Sequence, residues 1–282
     1  MEIIVAKTAG FCFGVRNAVD KTVEELENNK IVYCLGELVH NKQVIEELTK
    51  KGLNFIENIE EAKGKTIIRA HGVPTSVYSK AVKLGIEIKD LTCPKVLHIH
   101  NIATEYKEKD YFIFLVGQKE HPETIGTISF CGKNSCIIEK EDDVAYAIEK
   151  FNQSKLENAL LIAQTTFSLD NYKKIANKLK EQIKNVEVKN TICNATKQRQ
   201  EETKEISKLV DTMIVIGGKH SSNSNKLFEI ACKNCKKTLF IETSKELEMC
   251  RIDNNSTVGV IAGASTPKKS IDEVVEILTQ KC

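Results

Sequence analysis

The chain has almost no imbalance of charge: 41 Lys and Arg stand against 39 Asp and Glu in 282 residues, a formal net charge of +2 with the two signs interspersed. That removes any broad electrostatic case for nucleic acid or a membrane surface, so an anionic ligand must be held by local groups. The opening MEIIVAKTAGFCFGV lacks the basic stretch, long apolar core and small-residue cleavage site of a secretory signal. No apolar run approaches the roughly 18 residues of a membrane span. The expectation is a cytoplasmic protein. In that compartment ten cysteines point to metal, catalysis or plain burial rather than to disulfides. Zinc-ribbon spacing is missing too, because Cys232 and Cys235 form the sole C-x-x-C pair and close a helix-like stretch instead of following a strand. Cys34, Cys131, Cys136, Cys250 and Cys282 are expected to have no functional role.

Six short aliphatic or β-branched runs, at 31–35, 66–69, 111–116, 159–162, 212–216 and 258–261, end in Gly, Ala or polar turns. Strands of a buried parallel sheet read this way. Helix-like segments at 42–51, 77–84, 169–183, 195–208, 224–232 and 270–280 alternate with them, the pattern of an α/β fold. The loops pair by chemistry: GELVHN with AHGVP, VGQKEHPE with AQTTFS, IGGKHSSNS with AGASTP. The chain therefore reads as three diverged copies of one α/β unit, at 1–92, 93–190 and 191–282, with residues 1–13 a candidate to pack with the third. Each copy has one cysteine beside turn-forming or capping residues: Cys12, Cys93 and Cys193. In open α/β sheets ligands gather at the carboxyl ends of strands, where these loops fall.

Three cysteine ligands would leave one iron of an iron–sulfur cluster open to a substrate oxygen. Spacing alone leaves a second reading, three small buried cysteines. His40, His71 and His121 each follow an apolar run in a polar loop, placed either to donate to an anion or to ligate a metal. The segment 217–224 lacks the glycine spacing of a dinucleotide turn and the Lys-Ser/Thr ending of a P-loop. Its Ser221, Ser222 and Asn223 nevertheless precede a helix, where backbone amides and side chains either hold phosphate or simply cap. Glu123 lies across Pro122 from His121; it is a general acid if burial raises its pKa, or else a helix cap. Gln164, Thr165 and Thr166 offer neutral hydrogen bonds that suit a substrate hydroxyl. His98 and His100 read as helix-surface residues.

Taken in order, GFCFGV at 10–15, GELVHN at 36–41, AHGV at 70–73, TCP at 92–94, HPE at 121–123, QTT at 164–166, CNATKQRQ at 193–200, SSNS at 221–224 and AGAS at 262–265 resemble one family. It is the LytB/IspH family of 4-hydroxy-3-methylbut-2-enyl diphosphate reductases, and the match spans nearly the whole chain. The resemblance implies three α/β domains in pseudo-threefold arrangement around a [4Fe–4S] cluster held by Cys12, Cys93 and Cys193. It implies reduction of the hydroxylated allylic diphosphate to isopentenyl and dimethylallyl diphosphates, the last step of the non-mevalonate isoprenoid pathway. His40, His71, Ser221, Ser222, Asn223 and Ser265 would bind the diphosphate, His121 would contribute to the pocket, Glu123 would supply the proton and Thr165 would orient the hydroxyl. Leu91 and His220 depart from the usual pattern, where a small residue and an asparagine are common.

Electrons would come from a donor such as ferredoxin or flavodoxin, for which no docking motif is visible. Two rivals make different expectations. A metallohydrolase built on the three histidines would hold zinc and be colourless. A redox sensor with a labile cluster would need an effector-binding module, and none is visible.

Overall fold

The computed structural model describes residues 1–248, 250, 252–253 and 255–280, so Cys282 lies outside the described residues. Two compact units emerge: residues 1–16, 39–48 and 194–282 form one, and residues 17–38 and 49–193 form the other. Twelve strands are described, and they form three four-stranded sheets whose reported pairings are all parallel.

The second unit contains two of these sheets. In one, β2 (Val32–Leu35) and β4 (Lys65–Ile68) are central, with β3 (Leu53–Ile56) and β5 (Ile88–Asp90) at the edges, in the order β3-β2-β4-β5. In the other, β6 (Phe112–Val116) and β8 (Ala159–Ala163) are central between β7 (Ser135–Ile138) and β9 (Val186–Val188), in the order β7-β6-β8-β9. The first unit holds the third sheet, with β10 (Thr212–Ile216) and β12 (Thr257–Ala262) central between β11 (Lys237–Ile241) and β1 (Glu2–Val5). Read as β11-β10-β12-β1, it repeats the strand order of the other two. The amino-terminal strand thus takes the edge that β5 and β9 take elsewhere, pairing Glu2 with Thr257 through Val5 with Val260.

The six runs expected from the sequence are the six central strands, and the physical reason is burial on both faces. Every residue of FIFLV, ALLIA and TMIVI in β6, β8 and β10 is buried. Alternate side chains then feed two cores. In the β6–β8 sheet, Phe112, Phe114, Leu161 and Ala163 pack beneath α6 (Val144–Ser154) and α7 (Leu169–Gln182). Ile113, Leu115, Leu160 and Ile162 pack beneath α4 (Pro94–Glu108) and α5 (Pro122–Cys131). The edge strands are shorter or half exposed, and their sequences carry no such uninterrupted apolar run.

The remaining helices are α1 (Phe13–Asn28), α2 (Lys42–Lys50), α3 (Thr75–Leu84), α8 (Asn194–Ile206), α9 (Ser222–Asn234), α10 (Ser244–Glu248) and α11 (Lys268–Gln280). Cys235 caps α9, as expected of the C-x-x-C pair. No described helix is long and apolar enough to cross a membrane.

Helix α8 lies so close to β12 that a Cβ on Gly259 would meet Met213 Sδ at 2.6 Å and Ile206 Cγ2 at 2.7 Å. Gly259→Ala is therefore expected to destabilise the protein by about 1–3 kcal/mol, through overpacking of a fitted core. Urea-unfolding midpoints of the two proteins measure this.

Candidate functional site

Parallel strands deliver all their carboxyl ends to one edge of a sheet, where the chain must turn into a helix and leave amides unpaired. The loops after the six central strands carry the polar residues singled out from the sequence. A glycine stands directly after the first central strand of each sheet: Gly36, Gly117 and Gly217. A Cβ would approach Thr124 Oγ1 to 2.6 Å at Gly117 and Ser224 Oγ to 2.3 Å at Gly217, while Gly36, beside the Arg69 guanidinium, has a φ of +70° that suits glycine.

Cys12, Cys93 and Cys193 occupy equivalent positions by hydrogen-bond register. Each stands immediately before a helix: α1, α4 and α8 respectively. Each donates its amide to a carbonyl two residues beyond the second central strand of a sheet: Cys12 to Ala264 at 3.1 Å, Cys93 to Ala70 at 3.0 Å and Cys193 to Thr165 at 3.0 Å. Val15 N–H donates back to Cys12 Sγ at 3.5 Å, the contact that a capping sulfur makes with its first helical turn. All three are half-buried and outside any disulfide. Burial pushes the Cys34 and Cys131 thiols up to about 12 and leaves them inert.

Of the residues expected to hold the diphosphate, His40, Ser221, Ser222, Asn223 and Ser265 lie in the first unit and His71 in the second. Ser221 caps α9, its hydroxyl accepting from Ser224 N–H at 3.3 Å. Ser222 and Asn223 open the helix. Asn223 is buried, and neither its amide oxygen nor its amide nitrogen has a hydrogen-bond partner among the described residues. A buried carboxamide left in that state costs a few kcal/mol unless something pairs with it. Ser265 Oγ donates to His40 O at 3.1 Å, which joins the AGAST loop to the GELVHN loop. Gly218 lies over the same carbonyl, where a Cβ would approach His40 O to 2.6 Å. His220 is exposed.

In the second unit, His71, His121, Glu123 and Thr165 converge. Gly126 on α5 lies against the Gly72–Val73 backbone, a hypothetical Cβ lying 3.4 Å from Val73 N, and Thr75 N–H donates to Ser129 Oγ at 3.0 Å. That close packing brings the His71 and His121 rings edge to face at 5.5 Å between centroids, with ligand nitrogens within 4.8 Å of each other. His121, not Glu123, is the helix cap: its Nδ1 accepts from Glu123 N–H at 3.1 Å. A neutral His121 consequently carries its proton on Nε2.

Glu123 is 2 % exposed. Its carboxylate accepts from Thr165 N–H and from Thr165 Oγ1, each at 2.6 Å. Burial raises the carboxyl and the two Thr165 hydrogen bonds pull it back; burial wins, and the pKa is pushed up to about 7. Gln164 serves the scaffold, its Oε1 accepting from Gln118 N–H at 3.0 Å and its Nε2 donating to Thr166.

His100 corrects a sequence expectation: only His98 is on the surface. His100 is buried on α4 and stacked on Phe130 at 4.0 Å, and a Cβ on Gly72 would come within 3.0 Å of its ring. Burial holds its pKa down to about 4, so the ring is neutral and braces the turn that carries His71. The signal for it was present in the sequence. Val96, Ile99, Ile102, Ala103 and Tyr106 are the other buried positions of that helix, and His100 falls on the same stripe.

Ionisation of Glu123 costs stability only in the folded protein. Since the folded pKa exceeds the usual glutamate value, stability is full at low pH and is lost as pH rises through about 7. Glu123→Gln should remove that loss. The variant is expected to gain on the parent by roughly 3 kcal/mol between about pH 5 and about pH 8, read from urea unfolding at the two pH values.

The family model described as LytB protein matches residues 3–279. Among curated relatives, the 4-hydroxy-3-methylbut-2-enyl diphosphate reductase of Thermoanaerobacter sp. (strain X514) is 43% identical, covering 98% of this chain and 96% of its own. That of Aquifex aeolicus (strain VF5) is 37% identical, covering 100% and 97%. A solved structure of (E)-4-hydroxy-3-methyl-but-2-enyl diphosphate reductase, described as the terminal enzyme of the non-mevalonate pathway, superposes with a TM-score of 0.72 at 36% identity, covering 99% of this chain and 100% of that one. The E-1-hydroxy-2-methyl-but-2-enyl-4-diphosphate reductase of Plasmodium falciparum superposes with a TM-score of 0.89 at 30% identity, covering 99% and 88%.

Proposed function

The chain belongs to the LytB protein family, and on that footing we propose that it reduces 4-hydroxy-3-methylbut-2-enyl diphosphate to isopentenyl and dimethylallyl diphosphates, as a cytoplasmic enzyme of the non-mevalonate pathway. The observation that carries the reading is the register-equivalent placement of Cys12, Cys93 and Cys193, each starting a helix with its amide tied to the loop after a central strand. Three half-exposed sulfur donors in helix-start positions suit a [4Fe–4S] cluster, which Cys12, Cys93 and Cys193 would hold with one iron outside protein ligation. When bound, the cluster supplies single electrons and a Lewis acid at that iron.

The protein's own residues do the rest. Ser222, Asn223 and the first-turn amides of α9 bind the diphosphate, with Ser221 shaping the turn and Ser265 fixing the His40 backbone beside it. The buried amide of Asn223 has one donor and one acceptor edge available for that purpose. His40, His71 and His121 are assigned to the anion on the family pattern, and His121 presents an Nε2–H because its Nδ1 already accepts. Positioning of the diphosphate places the distant hydroxyl for reaction.

Glu123 holds a proton near neutral pH, on a carboxyl whose second partner is the Thr165 hydroxyl. Thr165 both orients the substrate hydroxyl and keeps the carboxyl in place. Two electrons and two protons enter, the carbon–oxygen bond breaks, and the hydroxyl leaves as water. Protonation of the delocalised allyl carbon skeleton at either end accounts for two products. That stoichiometry requires two electrons from an external reductant, and a donor such as ferredoxin or flavodoxin would deliver them singly.

Anaerobic assay with the hydroxylated diphosphate and a reduced low-potential donor tests the reading. Release of both isopentenyl and dimethylallyl products supports it; a colourless zinc protein that only hydrolyses the diphosphate contradicts it. Glu123→Gln is expected to keep its iron content and lose about two orders of magnitude or more in turnover. In the parent, turnover should fall as pH rises through about 7, because the ionised carboxylate has no proton to give. Asn223→Ala should raise KM about tenfold or more with a smaller change in kcat, by removing one buried polar anchor.

A further inference from the structure

Helix α8 begins directly after Cys193, and its buried face is polar at helical spacing: Thr196, Arg199, Gln200 and Thr203 are all buried. A buried guanidinium is costly unless its hydrogen bonds are made. Arg199 is 4 % exposed and spends two of its arms on backbone carbonyls: Nη2 donates to Gly10 O at 2.6 Å, and Nη1 to Ala195 O at 3.2 Å. One helical turn on, Glu202 accepts from Lys7 N–H at 2.7 Å, from Thr8 N–H at 2.9 Å and from the Thr8 hydroxyl. Burial alone would raise that carboxyl, but the Thr8 and Lys7 hydrogen bonds hold it below the usual glutamate value, so it stays ionised.

Both side chains grip the loop that runs from β1 to Cys12. The other side of that loop is fixed as well. Gly10 has φ of +98°, a conformation that suits glycine, and a Cβ there would press on Ile271 Cδ1 at 3.2 Å. Two residues later the Cys12 amide is committed to Ala264 O. Without the α8 contacts, the peptide between Gly10 and Phe11 would be held from one side alone.

We propose that Arg199 and Glu202 are positioning residues that clamp the 7–10 loop to α8 and thereby fix the direction in which Cys12 presents its sulfur. The proposal rests on the cluster reading for its purpose, but the clamp itself is a property of the chain. It makes one helix serve two proposed ligands, following Cys193 in sequence and holding the approach to Cys12.

The test measures alkylation of individual cysteines by iodoacetamide in the full-length, metal-free chain, followed by peptide mass analysis, beside chelator-driven loss of iron from the anaerobically purified protein. Arg199→Ala is expected to speed alkylation of Cys12 about tenfold, as local opening of one charge-assisted anchor would do, with Cys93 and Cys193 within about twofold of the parent. Iron should leave the variant faster by a similar factor. Arg199→Lys, which keeps the charge and one donor, should return Cys12 to within about threefold of the parent. An unchanged Cys12 rate overturns the proposal, and so does an equal rise at all three cysteines, which would mean general loosening. If Arg199→Ala does not fold, Glu202→Gln carries the same comparison with the same overturning results. A parent protein that binds no iron would defeat the cluster reading, while the alkylation rates would still decide the clamp.

Discussion

The structure depends on one recurrent constraint: a parallel strand ends, the chain crosses to a helix, and the residue that starts the helix must place its amide somewhere. At Cys12, Cys93 and Cys193 that amide goes to a carbonyl two residues past a central strand, in all three sheets. The cysteine backbone is then tied to the loop after a buried strand and to the start of a helix. Its sulfur is left half-exposed at a helix amino-terminus. Three equivalent cysteines are thereby placed by ordinary α/β connections, with no C-x-x-C spacing. Glycine after each first central strand serves the same end, through a close side-chain neighbour at Gly117 and Gly217 and a positive φ at Gly36.

Each unit carries polar groups set by its local structure. One has a capped helix start and a buried carboxamide without a partner among the described residues. The other offers a carboxyl in which burial outweighs two short hydrogen bonds, so that a proton is retained near neutrality. Neither feature depends on a large net charge, and the near-neutral chain has none. Electrostatics here is local, set by helix ends and desolvation rather than by the surface as a whole.

Much of this was legible before any coordinates. Central strands announce themselves because burial on both faces demands unbroken apolar runs, and β6, β8 and β10 are buried along their whole lengths. Edge strands escaped because one face or one end meets solvent, as in β1 and β5. Loop residues such as His121, Glu123 and Thr165 were recognisable by position after a strand, whereas their mutual geometry was not, because it depends on Gly126 letting α5 approach the Gly72–Val73 turn. His100 was misjudged as surface because alternate histidines suggest a wetted face. The apolar stripe of α4 separates the two, and packing on Phe130 buries His100 while His98 stays exposed. Arg199 and Glu202 were passed over because charged residues on a helix usually face water, and nothing local marks the distant carbonyl and amides they serve.

The central claim is that three cysteines from separate strand–helix junctions hold one cubane with a single iron outside protein sulfur. Mössbauer spectroscopy of the anaerobically purified, iron-57-labelled protein tests it most directly. The account predicts a four-iron cluster whose irons divide about three to one between cysteine-ligated sites and a site without a cysteine. Four indistinguishable irons, or a protein without iron, would contradict it.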